Sequence, residues 1–164
     1  MSRIKLTFTN RKIAILITLI IIVFTLTTIL FPLLLIHLIP QSGIGNYFSE
    51  HLHYGFFSIF ILLYFIYTGI FSYQIKIDSY IINIRSSSTI LGILQQPNFV
   101  DIAHTMLRDF TFFNRPFSFN KTLMIKIETA SEKVVAKRFN LTFLSKEEEE
   151  KISKVLEQII SKNS

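Results

Sequence analysis

The chain has 164 residues, half of them hydrophobic and only 17% charged, and a mean hydropathy of +0.46; a small water-soluble domain is not that apolar, so part of it is expected to meet lipid. Without a single cysteine, it offers no disulfide framework, thiolate metal site or cysteine nucleophile. The net charge of +6 is assigned to membrane topology and anionic lipid, not to nucleic acid, because no basic run with interleaved aromatics occurs.

Residues 1–12 read as a basic cytoplasmic N-terminus with Arg3, Lys5, Arg11 and Lys12. Residues 13–39, "IAILITLIIIVFTLTTILFPLLLIHLI", and 54–73, "YGFFSIFILLYFIYTGIFSY", contain no Asp, Glu, Lys or Arg. Each reaches the roughly 20 residues needed to cross a hydrocarbon core about 30 Å thick, so two transmembrane helices are expected. The first run is overlong, so the helix must tilt, bend near Pro32, or stop there and leave "LLLIHLI" in the far interface, the continuous, tilted or kinked helix being favoured. A cleaved signal peptide is disfavoured, because the apolar run is too long and no small-x-small site follows it.

The connector, residues 40–53, "PQSGIGNYFSEHLH", has no Lys or Arg, whereas Lys76 and Arg85 follow the second run. Retention of basic residues inside places both termini in the cytoplasm and the connector outside. Tyr47, Tyr54 and Tyr73 fall at the edges of the runs, where amphipathic rings favour the lipid and water boundary. Neither run holds an ionisable group at its centre, which argues against a channel or transporter. His37 lies near the outer end of the first run and reads as an interfacial hydrogen-bonding group. Glu50, His51 and His53 form a short cluster, but two imidazoles on a loop lack a closed ligand set, so no metal is expected.

From Gln74 onward the composition changes, and residues 74–164 hold 23 of the 28 charged residues. This is the expected cytoplasmic α+β domain, large enough for one modest core. "YQIKIDSYIINIR" alternates around a turn pair, which reads as a hairpin with Tyr73, Ile75 and Ile77 on one face and Tyr80, Ile82 and Ile84 on the matching one. Over residues 98–110, Phe99, Val100, Ile102, Ala103, Met106, Leu107 and Phe110 fit one helical face with Asn98 as N-cap, so a helix is expected, a bent strand being the alternative. His104 on that helix reads as a solvent-facing or partly satisfied histidine. "TFFNRPFSFN" suits a loop or short edge strand. A second hairpin is expected from residues 122–129 and 133–144.

At the end, "SKEEEEKISKVLEQII" shows a capping-box spacing of Ser145 and Glu148, four glutamates at the positive end of the helix dipole, and a stripe of Ile152, Val155, Leu156, Ile159 and Ile160. Such a stripe needs a surface to cover, and the preceding sheet is the nearest. The closing helix is therefore expected to seal the domain.

No phosphate loop, nucleophile elbow or carboxylate pair occurs, so no catalytic residue, metal site or cofactor is expected and the chain does not read as an enzyme. Arg108, Arg115, Lys121, Lys133, Lys137 and Arg138 are the candidate lipid-facing or partner-facing residues, each contributing about 1 kcal/mol beside an anionic leaflet. Their dispersal fits an ordinary solvated surface balanced by nearby acids, and that plainer reading is preferred.

The order of two spans, "YQIKIDSYIINIRS", hairpin strands and the closing "LSKEEEEKISKVLEQII" resembles small bacterial two-span membrane proteins with a pleckstrin-homology-like cytoplasmic domain. The helix expected over residues 98–110 departs from that fold's run of strands. The resemblance implies an integral protein of the bacterial cytoplasmic membrane and a binding module with no catalytic residues to carry over. The function expected is a membrane-tethered, noncatalytic interaction or scaffold module presenting its domain to a membrane-associated protein or to lipid headgroups. The alternative is a membrane-acting effector or immunity protein whose domain senses a ligand or toxin and whose spans self-associate. The expected partners are thus the bilayer, a membrane-associated protein or a second copy, and not nucleic acid.

Overall fold

A computed structural model of the chain describes residues 5–39, 41–90, 96–129 and 132–163. The chain divides into two compact units, one made from the segment up to Ala14 together with everything from Ile70 onward, the other Ile15–Gly69. In chain order, the second unit is an insertion into the first.

Three segments, α1 (Arg11–Thr25), a π-helical turn (Leu26–Leu30) and α2 (Phe31–Leu38), run on as one 28-residue helix, Arg11–Leu38. It is long and apolar enough to cross a membrane, and only 11% of its apolar window is buried, unlike the core helix of a soluble protein. Pro32 has no N–H to offer and its ring would strike the carbonyl one turn back. The preceding turn is widened, and Phe31 N donates to Leu26 O, five residues away. The hydroxyls of Thr25, Thr27 and Thr28 donate to the carbonyls of Ile21 (2.8 Å), Val23 (3.0 Å) and Phe24 (2.7 Å), a back-bonding that loosens the same stretch. The irregularity expected near Pro32 takes this form, and the helix does not end there.

The connector is not all loop. Ser42 caps α3 (Gly43–Glu50), its Oγ accepting from Gly45 N at 3.0 Å. Next comes α4 (Leu52–Thr68), and the segments Gly43–Glu50 and Gly55–Thr68 meet at 57°. The helix expected over residues 54–73 stops at Thr68. Gly69, with φ 70° and ψ 152°, sits in a conformation that a side chain resists, and strand begins at Phe71.

The other unit holds seven strands and a helix. Four of them, β1 (Leu6–Thr9), β2 (Phe71–Ile77), β3 (Ile81–Ser88) and β4 (Asn98–Ala103), form an antiparallel sheet in that order. A second antiparallel sheet is made of β5 (Leu107–Asn114), β6 (Asn120–Glu128) and β7 (Val134–Thr142). The closing helix is α5 (Lys146–Asn163). Both expected hairpins form, with Ile77 opposite Ile82 and Ile75 opposite Ile84 in the first, and Glu128 opposite Val134 at the tip of the second. Tyr80, expected on one face with Ile82 and Ile84, is in the turn and exposed while those two are buried. Within the basic N-terminal stretch, where the sequence signals no element, Leu6–Thr9 is a strand pairing with β2.

The helix expected over residues 98–110 is replaced by β4, a 3-10 turn at His104–Met106 and β5. The apolar set supports either period. Val100 and Ile102 lie opposite Ile84 and Ile82 and are buried, so pairing with the otherwise open edge of β3 overrides the helical pattern.

One cluster joins both sheets and the helix: Tyr73, Ile75, Ile77, Ile82, Ile84, Val100 and Ile102 from the first sheet, Leu123, Ile125, Ile127, Phe139 and Leu141 from the second, and Ile152, Leu156 and Ile159 from α5. The three α5 residues contribute roughly 5–9 kcal/mol of gross hydrophobic free energy. The capping box forms as expected, with Glu148 N donating to Ser145 Oγ and Ser145 N to Glu148 Oε2, both at 3.1 Å. Burial, the Glu148 charge and hydrogen bonding to that carboxylate, in this order, push the pKa of the buried Tyr73 phenol well above the ordinary tyrosine value.

Asn10 sits where the chain leaves this unit, and Phe71 to Tyr73 where it returns. The Asn10 Nδ2 donates to Phe71 O (3.0 Å) and Thr142 O (2.7 Å), and its Oδ1 accepts from Tyr73 N (2.7 Å). Phe71 N donates to Thr142 Oγ1 at 2.8 Å, and Thr142 Oγ1 donates to Asn120 Oδ1. Asn10, Asn120 and Thr142 are all nearly inaccessible to solvent, so each lost partner would leave a buried polar group unpaired.

Replacing Asn10 with Ala is expected to lower the unfolding free energy by about 2–4 kcal/mol, measured by urea titration of the full chain in detergent, whereas Thr7→Ala on the exposed face of the same strand stays within about 0.5 kcal/mol. In the same assay Ser145→Ala costs about 1 kcal/mol through the lost cap.

Candidate interaction surface

The six basic residues do not converge. Arg108 on β5 pairs through Nε with Glu128, and Lys121 on β6 pairs with Glu149 of α5. Their charges are answered by carboxylates within the domain. Arg115 and Lys133 are exposed beside turns, Arg115 N donating to Asn120 O at 3.4 Å and Lys133 O accepting from Thr129 N at 2.9 Å. Lys137 and Arg138 are neighbours on β7 and project to opposite faces of the strand.

Those two stand at an opening between the sheets. β4 is one edge strand of the first sheet and β7 one edge strand of the second. The last residues of β7 are held against the first sheet: Ser86 Oγ donates to Asn140 O at 2.6 Å, and Asn10 to Thr142 O. Toward Val134 the edges part, and Val134–Arg138 are all exposed. A groove of about 650 Å³ lies here, lined by Pro97, Asn98 and Phe99 from the β4 side and by Ala136, Lys137, Arg138 and Phe139 from β7. Side chains, not backbone, bridge it: Lys137 Nζ donates to Phe99 O at 3.0 Å, and Asn98 Nδ2 to Arg138 O at 3.4 Å. The Arg85 guanidinium lies 5.1 Å from the centre of the Phe99 ring, a cation over an aromatic face. Among the described residues, no carboxylate lines the groove.

Backbone register adds to this. In an antiparallel ladder a residue turns both its N–H and its C=O toward the same neighbour, and alternate residues face opposite ways. Since the carbonyls of Arg138, Asn140 and Thr142 accept from groups outside β6, the backbone groups of Val134 and Ala136 also face away from β6. Sequence reading flagged Lys137 and Arg138 by charge but missed Phe99, Asn98 and Arg85, because it took residues 98–110 for a helix.

In the helical unit, a cavity of about 320 Å³ lies beside the π turn, lined by Thr27, Thr28, Pro32, Tyr47, His51, Gly55 and apolar neighbours. A Cβ at Gly55 would meet Thr28 O at 3.4 Å. The His51 ring stacks on Tyr47 at 4.3 Å, and its Nδ1 lies 2.8 Å from Tyr47 O. The rings of His51 and His53 are 5.9 Å apart, and no group of three His, Asp or Glu side chains gathers among the described residues.

His104 sits in the turn between β4 and β5, half-buried, with Nε2 enclosed and lacking a hydrogen-bond partner among the described residues. Burial lowers its pKa, helped by the Lys162 charge and opposed by the backbone carbonyls of Asp78 and Ile81. A histidine with a depressed folded pKa takes up its proton first in the unfolded chain, so stability falls as pH drops through the unfolded value near 6.5 and levels off below the folded one. Urea titrations between about pH 7 and pH 5 are expected to show this loss, and His104→Gln to flatten it. Compared with known proteins, the chain matches no family model, no curated protein and no solved structure.

Proposed function

We propose that the protein is a membrane-tethered, noncatalytic interaction module of pleckstrin-homology-like form, its helical insertion crossing the bilayer twice and its β domain lying in the cytoplasm with both termini. The observation that carries this reading is the pairing of β1, before the insertion, with β2, after it: Leu6 opposite Ile77 through Thr9 opposite Gln74. Strands in one ladder share one side of a membrane, so a crossing made by Arg11–Leu38 must be reversed before Phe71. The bent pair of α3 and α4 is the segment available for the return. About 26 Å long as a straight helix, α4 nearly matches the hydrocarbon thickness.

Charge supplies the direction. Arg3, Lys5, Arg11, Lys12 and Lys76 flank the outer ends of the insertion, and its connector holds no Lys or Arg, which favours the β domain inside. Two sheets of four and three strands closed by one helix are the arrangement a pleckstrin-homology-like domain would have, and the strand at Asn98–Ala103 removes the departure that a helix there would have made.

The chain contains no native cysteine, so single-cysteine labelling with a membrane-impermeant maleimide tests the topology directly. In intact cells, Ser49→Cys is expected to react, while Thr7→Cys and Ser161→Cys react only after permeabilisation. Labelling of positions 7 and 161 from opposite sides, or release of the protein from membranes by alkaline carbonate, would overturn the reading. Leakage of intact cells on expression would favour the membrane-acting effector instead.

A further inference from the structure

We infer that the open edge of β7 at Val134–Arg138 is a docking site for an extended acidic peptide segment, which adds to the second sheet as a further strand. The inference rests on the reading of the domain as an interaction module and names the class of partner.

The backbone supplies the first argument. Val134 and Ala136 turn their N–H and C=O groups away from β6, and these groups have no partner among the described residues. The next residue of this parity, Arg138, gives its carbonyl to Asn98 but leaves its N–H available. A short unpaired ladder of this kind is what an extended chain pairs with, the main chain giving affinity and the flanking side chains selectivity.

Side chains then choose the occupant. Lys137 and Arg138 project to opposite faces of the strand, so they flank an added chain on both sides. Lys133 stands at the strand's beginning and Arg85 across the groove over Phe99. The acidic groups nearby are Asp101 on β4 and Glu132 in the turn, while Glu128 is occupied by Arg108. The local surplus is therefore positive, and no carboxylate among the described residues lies in the groove wall. A second copy is disfavoured as occupant, because antiparallel pairing of two β7 edges would set one basic cluster against the other, the device by which natural edge strands avoid self-association. Val134 and Val135, both exposed, suit apolar residues next to the acidic ones on the incoming strand.

The test uses the full chain in detergent, where binding does not depend on which side of a bilayer the domain occupies; its failure is thus distinct from a failure of the topology. The probe is a fluorescein-labelled peptide of the repeat Val-Val-Glu-Glu, followed by fluorescence polarisation. It is expected to bind at least about tenfold more tightly than its Val-Val-Lys-Lys counterpart. Methylating the peptide nitrogens of one parity is expected to weaken binding by about tenfold or more, while methylating the other parity leaves it nearly unchanged. Ala136→Pro, which deletes an outward N–H without touching the ladder to β6, is expected to abolish binding with an unchanged melting profile. The double variant Lys137→Glu with Arg138→Glu is expected to reverse the preference toward the lysine peptide. Equal binding of the two peptides, indifference to methylation at both parities, or an unreversed preference in the double variant would each overturn the proposal.

Discussion

The β domain is not continuous in sequence, and its closure depends on the buried amide of Asn10. Three hydrogen bonds from one side chain join the last residue before α1 to the first residues of β2 and to the end of β7. Polar groups shielded from water lose far more when unpaired than they gain on average when paired. The arrangement accordingly tolerates few alternatives, because an apolar residue at position 10 would strand a donor on Tyr73 and acceptors on Phe71 and Thr142. Thr142 extends the network to Asn120, so the two sheets meet at their seam through polar contacts while their faces meet through the apolar cluster.

From that seam the sheets diverge. Near Asn10 and Thr142 the second sheet is tied to the first, and near Val134 it is not, so one corner of the domain is sealed by hydrogen bonds and the other is left open. At the remaining exposed face of the core, α5 supplies Ile152, Leu156 and Ile159. The capping box stands beside the same core, since Glu148 bonds Ser145 and its charge helps to raise the pKa of the buried Tyr73 phenol. Charge placement follows the same division. Arg108 and Lys121 meet carboxylates of β6 and α5, whereas at the open corner the Lys137 ammonium donates to the Phe99 carbonyl and the Arg138 backbone carbonyl accepts from the Asn98 side chain.

The helical insertion is irregular for identifiable reasons. Pro32 removes a donor and crowds the preceding turn, the backbone answers with a π turn, and three threonines bond back to carbonyls in the turn before it. A Cβ at position 55 would stand 3.4 Å from the Thr28 carbonyl, and the cavity of about 320 Å³ lies beside the π turn.

Elements with short-range logic were legible in the residues alone. The apolar runs, the hairpin of β2 and β3, the hairpin of β6 and β7, and α5 with its Ser145 and Glu148 cap each declare themselves through periodicity or capping within a dozen or so positions. Elements whose state rests on distant partners were not. Residues 98–110 carry an apolar set compatible with a helix, and only the free edge of β3 decides for strand, by placing Val100 and Ile102 opposite Ile84 and Ile82. Leu6–Thr9 is too short to signal itself and becomes a strand because β2 lies alongside it after an excursion of some sixty residues. Asn10 looks like any polar residue before an apolar run, and the basic pair Lys137 and Arg138 like any solvated charge. Their surroundings exist only once the chain has returned, because burial and edge exposure are properties of the assembled sheets and not of local sequence.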